Sequence, residues 1–366
     1  MNESQSNPFG KHSGVLVRQG APFNAGPAPE LLVRSFITPN ELFFVRNHGD
    51  VPTVDPAAFR LTVDGLVRRP LSLTLDEIRH FPKTTVTATL QCAGNRRLEM
   101  MAVEPIVNEL PWGTEAVSNA TWGGVPLRDV LAAADPRSRA RHVAFTGLDE
   151  TERHGHRFCF GGSIPLDKAR GPEVLLAYEM NGEPLPPVHG APLRAVVPGY
   201  IGARSVKWLQ TITLREAPSD NYFQAKAYRL FPPHMRPESV DFEQGLMLGD
   251  FPVSSVTCAP REGERLPAGP VTVAGWALAG GGRRVERVDV SVDGGTTWTI
   301  ASFASEEAPW GWRLWEARLD LPAGDHEIVC RAWDSAAHTQ PESPAHVWNF
   351  KGYVNNAWHR VRVRCG

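Results

Sequence analysis

Thr89-Leu-Gln-Cys92-Ala-Gly-Asn-Arg96-Arg97 carries an alternating strand pattern straight into a Gly-Asn turn. A cysteine at a strand end stands where scaffolds present functional groups. Arg96 and Arg97 follow four and five residues later and would stabilise a thiolate if the loop folded back over the sulfur. Such a thiolate either attacks an electrophile or binds a metal. The cysteine loop of tyrosine phosphatases is excluded by spacing. It needs an arginine six residues after the cysteine, where this chain has Leu98, and usually a histidine before it, where this chain has Gln91.

Around this segment, short strand patterns at Arg60–Asp64, Thr85–Leu90, His142–Phe145, Val174–Tyr178, Arg194–Val197 and Val206–Leu214 are separated by Gly/Pro-rich turns. Helical patterns are few, the clearest being Asp76–His80 and Leu127–Ala134. The first 29 residues are Gly/Pro/Asn-rich without periodicity and read as an arm that wraps or frays, with nothing catalytic on it. Proline punctuation from Pro232 to Pro252 marks a linker. Beyond it, alternating strands such as Val285–Val292 and His326–Trp333, with an Asp293-Gly-Gly turn, predict an immunoglobulin-like sandwich. The order Cys258, Trp276, Cys330 echoes the disulfide framework of that fold, but in a cytoplasmic chain two buried free thiols are the better reading. The expected fold class is therefore α+β, with an arm over 1–29, a mixed domain over 30–245 and an all-β sandwich over 250–366.

Composition narrows the function. The 366 residues carry 38 Lys plus Arg against 40 Asp plus Glu. The balance of −1 holds on both sides of the linker, with 12 basic and 13 acidic residues beyond 250. That argues against nucleic acid or an anionic membrane as the main partner. The longest apolar runs fall short of a bilayer span. The opening MNESQSNPFG lacks the charged and apolar regions of a signal peptide, so a cytoplasmic location is expected. Five cysteines without a C-x-x-C pair make zinc ribbons and disulfide scaffolds poor readings.

The Cys92 segment closely resembles the molybdenum-ligand motif of the sulfite oxidase family, where one Cys thiolate binds molybdenum held by a pyranopterin dithiolene. A soft sulfur donor suits that ion. Phe43-Phe-Val-Arg46-Asn-His48 resembles the family's FFxRNH segment, and Leu175–Gly182 its LLAYEMNG run. His189–Arg194, Pro198-Gly199 and Gly202–Trp208 resemble its pterin-binding stretch, and Trp312–Trp315 and Asn356–Val361 its dimerisation domain. The resemblance extends in order from about Glu30 to Val363.

The resemblance implies that Cys92 is the metal ligand. It implies that Phe44, Val45, Arg46, Asn47, His48, Asp149, His189, Arg194, Ser205, Val206 and Lys207 hold the pterin and its phosphate, for which Arg and Lys are the expected partners. Arg46, Tyr228, Arg97, Trp112 and Lys351 match the substrate side, where a positive pocket would hold a small oxyanion. Two departures stand out. Lys351 replaces the arginine of animal sulfite oxidases, keeping the charge and losing the bidentate fork, and Ala227 precedes Tyr228 where those enzymes place an acid.

The implied activity is oxidation of sulfite to sulfate with water as oxygen source, by a homodimer that passes two electrons to oxygen or a cytochrome. The haem and flavin domains of relatives are not expected in this chain. A nitrate or S-oxide reductase on the same fold is the nearest rival. A metal-free cysteine hydrolase using Cys92 and a binding module presented by the sandwich are rivals from other classes.

Overall fold

The computed structural model describes residues 8–366, residue 243 by its backbone alone. The targeting reading of Met1–Gly10 rests mostly on residues 1–7, which lie outside the described residues. Among the described residues, no helix is long and apolar enough to cross a membrane.

The arm wraps rather than frays. Strands β1 (Val15–Gln19) and β2 (Asn24–Pro27) pair antiparallel. Val15, Phe23 and Ala25 bury against Leu42, Val45 and Val188. Burial of these scattered apolar groups, not a periodic face, holds the segment.

The first domain is built on two sheets. Its strands are β3 (Leu61–Gly65), β4 (Leu71–Leu73), β5 (Thr84–Gln91), β6 (Val117–Pro126), β7 (His142–Arg153), β8 (His156–Pro165), β9 (Leu175–Met180), β10 (Glu183–Pro184), β11 (Arg194–Val196) and β12 (Leu209–Arg215). One sheet runs β10-β9-β6-β5 with β11 also on β9, and the other runs β4-β3-β12-β7-β8. Leu61, Val63, Val143, Phe145 and Ile212 from the second sheet meet Val125, Leu176 and Ala195 from the first in a shared core.

The helices are short: α1 (Pro29–Leu32), α2 (Leu75–Arg79), α3 (Arg97–Val103), α4 (Leu127–Ala134) and α5 (Leu166–Ala169). Helix α2 begins on a capping box in which Thr74 and Glu77 satisfy each other's backbone donors. Helix α4 buries Leu127, Val130, Leu131 and Ala134, a helical spacing legible in the sequence. Helix α3, by contrast, is announced by no amphipathic pattern and is set by tertiary contacts. It starts from Arg96, whose backbone is left-handed at φ 65 and whose buried side chain pairs with Glu99 at 2.6 and 2.7 Å.

A small antiparallel pair pins the expected linker, with β13 (Arg229–Leu230) just before it and β14 (Leu246–Met247) within it. The second domain follows as β15 (Ser254–Ala259), β16 (Arg265–Leu266), β17 (Gly269–Leu278), β18 (Val285–Ser291), β19 (Thr299–Ile300), β20 (Ser302–Phe303), β21 (Arg313–Leu321), β22 (Gly324–Asp334) and β23 (His359–Cys365). Its sheets, β15-β17-β21-β20 and β16-β23-β22-β18-β19, form the expected sandwich. In β21 the buried Trp315, Ala317, Leu319 and Leu321 alternate with Glu316, Arg318 and Asp320. Cys258 and Cys330 are buried free thiols.

The sandwich closes back on the Cys92 loop. Thr89 donates its N–H to Trp310 O at 3.0 Å, and its hydroxyl accepts from Trp312 N at 2.8 Å. The segment before β23 returns further, with Val354 N donating to Ala93 O at 2.7 Å and Asn355 Nδ2 to Arg96 O at 3.0 Å.

Candidate active site

Strand β5 ends at Gln91, so Cys92 emerges at the edge where both domains meet. Its N–H donates to Ala116 O at 2.9 Å, and its sulfur accepts from Gly94 N at 3.4 Å. Glycine at 94 leaves room for Arg97 to fold over the turn, since a Cβ there would lie 2.4 Å from its guanidinium and push it aside. The loop folds back as the sequence suggests, but neither arginine reaches the sulfur. Arg96 is taken by the Glu99 carboxylate. Arg97 donates to Leu110 O at 2.7 Å and Lys351 O at 3.0 Å and stacks over Tyr353.

Cys92 opens into an inner cavity lined also by Phe44, Arg46, His48, Asp149, His189, Arg194, Ser205, Lys207 and Tyr228. These come from segments far apart in sequence. His48 is fixed by close backbone approach, because a Cβ on Gly49 would fall 1.8 Å from Glu150 O, and by Thr151 Oγ1 donating to His48 O at 3.1 Å. Its ring stacks on Phe160 at 4.7 Å and meets Tyr228 Oη at 2.9 Å. Burial, then Arg46, Arg153 and Lys207, push its pKa well down, so the imidazole is neutral. Burial chiefly pushes the Tyr228 phenol well up, with Arg46 opposing and Cys92 and Glu109 adding to the rise. The missing acid at Ala227 is thus answered by a histidine partner for the tyrosine.

His189 is held by a residue the sequence reading missed. Lys11 is buried, and its Nζ contacts Asn40 O at 2.6 Å, Phe43 O at 2.9 Å and His189 Nε2 at 2.7 Å. The arm therefore does serve the site, through a lysine in a stretch with no motif to mark it. Burial, then Lys11, Lys207 and Arg194, keep His189 neutral.

Arg194 donates to His189 O at 2.8 Å and Ser205 O at 3.0 Å, and lies 4.8 Å from the Trp122 ring. Lys207 donates to Val188 O at 3.1 Å and to Asn47 Oδ1. Burial pushes its pKa down. Burial also raises Asp149 to about 7, against the pull of Lys207, and Asp149 Oδ1 has no hydrogen-bond partner. Val45 and Val206, expected at the site, pack their side chains into the core and do not line the inner cavity.

A second, outer cavity of about 630 Å³ shares Arg46, His48 and Tyr228 with the inner one and adds Asn47, Glu109, Arg153, Tyr222, Lys351 and Tyr353. Tyr353 stacks on Tyr228 at 5.3 Å. Glu109, also missed in the sequence, sits 3.3 Å from Lys351 Nζ and 3.4 Å from Arg97 Nη2. Two expected wall residues stand back. Trp112 is fully buried in the cluster with Phe43, Phe44 and Cys92, because its indole fills the space behind the loop. Arg97 lies behind Tyr353, its Nε and Nη1 donating to carbonyls and its Nη2 facing Glu109.

The inner cavity fits a phosphate-bearing cofactor that offers a soft-ligand metal. Arg194 and Lys207 are buried basic groups whose hydrogen bonds go to neutral oxygens, and an anion bound beside them would favour their charged forms. Asp149 Oδ1 is an unpartnered acceptor suited to the amino and ring N–H groups of a pterin. Cys92 is a single soft sulfur donor, and among the described residues no cluster of His, Cys, Asp or Glu offers a competing metal site.

This arrangement defines a cofactor-binding oxidoreductase domain joined to a β-sandwich. The family described as an oxidoreductase molybdopterin binding domain matches residues 48–223, and that described as a Mo-co oxidoreductase dimerisation domain matches 246–366. The chain belongs to the sulfite oxidase family of molybdenum-cofactor oxidoreductases. It is 43% identical to the sulfite oxidase of Arabidopsis thaliana, covering 99% of this chain and 96% of that one. It is 47% identical to the mitochondrial sulfite oxidase of Homo sapiens, covering 96% of this chain and 66% of the relative, so the chain spans about two thirds of that protein. The fold also matches the crystal structure of the sulfane dehydrogenase SoxCD from Paracoccus pantotrophus, with a TM-score of 0.81 at 26% identity over 100% of this chain and 93% of that one.

Proposed function

We propose that the protein oxidises sulfite to sulfate at the junction of the two cavities. The observation that carries this reading is the meeting of Cys92, the buried basic groups Arg194 and Lys207, and the Arg46–His48–Tyr228 group around two adjoining cavities. The overall change is SO₃²⁻ + H₂O → SO₄²⁻ + 2H⁺ + 2e⁻, with the electrons leaving to an external acceptor such as oxygen or a cytochrome.

Cys92 would anchor the metal, and His48, Asp149, His189, Arg194, Ser205 and Lys207 would hold the pterin and its phosphate. When bound, the cofactor supplies two-electron oxygen-atom transfer. The chain's own part is electrostatic: Arg46 and Lys351 draw the dianion inward, and Tyr228 donates a hydrogen bond where the oxyanion sits. Neutral His48 orients Tyr228, while Phe160 and Phe223 exclude water from its other face. A metal-free hydrolase would need a base on Cys92, whereas the hydrogen bond to its sulfur comes from Gly94 N–H.

A homodimer through the sandwich is part of the same proposal, supported by the dimerisation-family match over 246–366. So is a cytoplasmic location, which rests on the sequence reading alone, and cell fractionation checks it against the mitochondrial location in the human relative's name.

The test is sulfite-dependent ferricyanide reduction by molybdenum-assayed protein beside its Cys92→Ser variant. Turnover by the wild type and its loss in the variant support the reading. A fully molybdenum-loaded wild type that leaves sulfite unoxidised rejects it and directs attention to nitrate and S-oxides.

A further inference from the structure

We propose that Glu109 is a built-in competing anion that weakens oxyanion binding in the outer cavity by occupying Lys351 and offsetting Arg97. The inference rests on the reading of this cavity as the oxyanion entrance and adds a specificity-determining residue to it. Glu109 lines the cavity together with Arg46, Tyr228 and Lys351. Its two carboxylate oxygens divide between two cations, Oε1 at 3.3 Å from Lys351 Nζ and Oε2 at 3.4 Å from Arg97 Nη2. The side chain is only 18% exposed, so solvent screens these charges incompletely.

Both distances are at the long end for charge-assisted contacts, which leaves the cations open to exchange for a better-placed anion. A carboxylate presents oxygen acceptors like those of sulfite and sulfate. An entering dianion must therefore displace Glu109 from Lys351 or share the ammonium with it, against its negative charge. The reach of that charge extends to the inner cavity: after burial, Glu109 contributes to raising both Tyr228 and Tyr353. Arg46 differs, since its contacts are with Asn47 O and Asn24 Oδ1, both uncharged. Arg153, on the same cavity, likewise donates to neutral oxygens, those of Thr151 and Glu152, so Lys351 is the cavity cation that a carboxylate holds in check, an arrangement that favours release of the product dianion.

Inorganic sulfate is titrated calorimetrically into molybdenum-loaded wild type, Glu109→Gln and Glu109→Asp, and sulfite KM and kcat are measured on the same samples. Glu109→Gln is expected to lower the sulfate Kd and the sulfite KM about tenfold without raising kcat. Glu109→Asp, still an anion, stays within about twofold of wild type. A sulfate Kd in Glu109→Gln equal to or weaker than wild type overturns the proposal, because that is the outcome for a carboxylate that only props Lys351 in place. Melting temperature and molybdenum content verify each variant, and Glu109→Ala replaces the amide should it fail to fold. If the wild type oxidises no sulfite, the proposed function falls, while the sulfate titration still decides the role of Glu109.

Discussion

Tyr228 Oη lies 2.9 Å from Nε2 of His48, at the only place where the inner and outer cavities share a wall among the described residues. Burial depresses the histidine and raises the tyrosine, so both stay neutral through the physiological range and the pair works by hydrogen bonding, not by ionising.

Tyr228→Phe keeps the stack on Tyr353 and deletes the hydroxyl. Leaving His48 and the oxyanion each short of a partner costs roughly 1–3 kcal/mol, so sulfite kcat/KM should fall about 10- to 100-fold. The wild-type profile between pH 6 and 9 should show no break that the variant removes. Steady-state kinetics across that range measures both.

Asp149 makes cofactor-free protein sensitive to pH. Its folded pKa, about 7, lies above that of an unfolded aspartate, so the folded chain holds the proton more tightly. The resulting stabilisation is complete below about pH 4 and is lost as pH rises through about 7. Melting temperatures from pH 4 to 8 should therefore fall more for the apo wild type than for Asp149→Asn. A constant difference between the two would assign an ionised Asp149 throughout.

Lys11 ties the arm to His189. Lys11→Met removes a donor from two carbonyls and a ring nitrogen, and should weaken cofactor retention about tenfold, whereas Lys11→Arg should preserve it. Pterin and molybdenum per chain after gel filtration report this without reference to turnover. Equal contents in Met and Arg variants would leave Lys11 a packing residue.

Lys351→Arg changes how the outer cavity meets its anion. A guanidinium fork has one edge for Glu109 and another for the substrate, so sulfite KM should drop about threefold with kcat little changed. An unchanged KM would remove Lys351 from the substrate's path.

The sequence was most legible where physics is local. Helix α4 follows from its apolar spacing, α2 from its capping box, and the sandwich from alternation such as that of β21. Helix α3 was not legible, because its start depends on a left-handed Arg96 held by Glu99 and by Asn355 from the other domain. The site divides in the same way. Cys92, His48, His189, Arg194 and Lys207 stand in motifs and converge on one cavity. Lys11 and Glu109 stand in irregular segments and gain their roles from burial and from partners 178 and 242 residues away. Trp112 and Arg97 carry residue types fit for a cavity wall, but packing set the one behind Cys92 and the other behind Tyr353.

The sequence by itself determined the two-domain α+β plan, the cysteine at the end of a strand and the family to which the chain belongs, since periodicity and motif spacing are properties of neighbouring residues. Only the tertiary structure decided which charges face one another: that the two arginines after Cys92 turn away from its sulfur, that an arm lysine holds His189, and that Glu109 stands between Lys351 and Arg97. Ion pairing and desolvation depend on distance and burial in the folded chain, and neither is encoded in the order of residues along it.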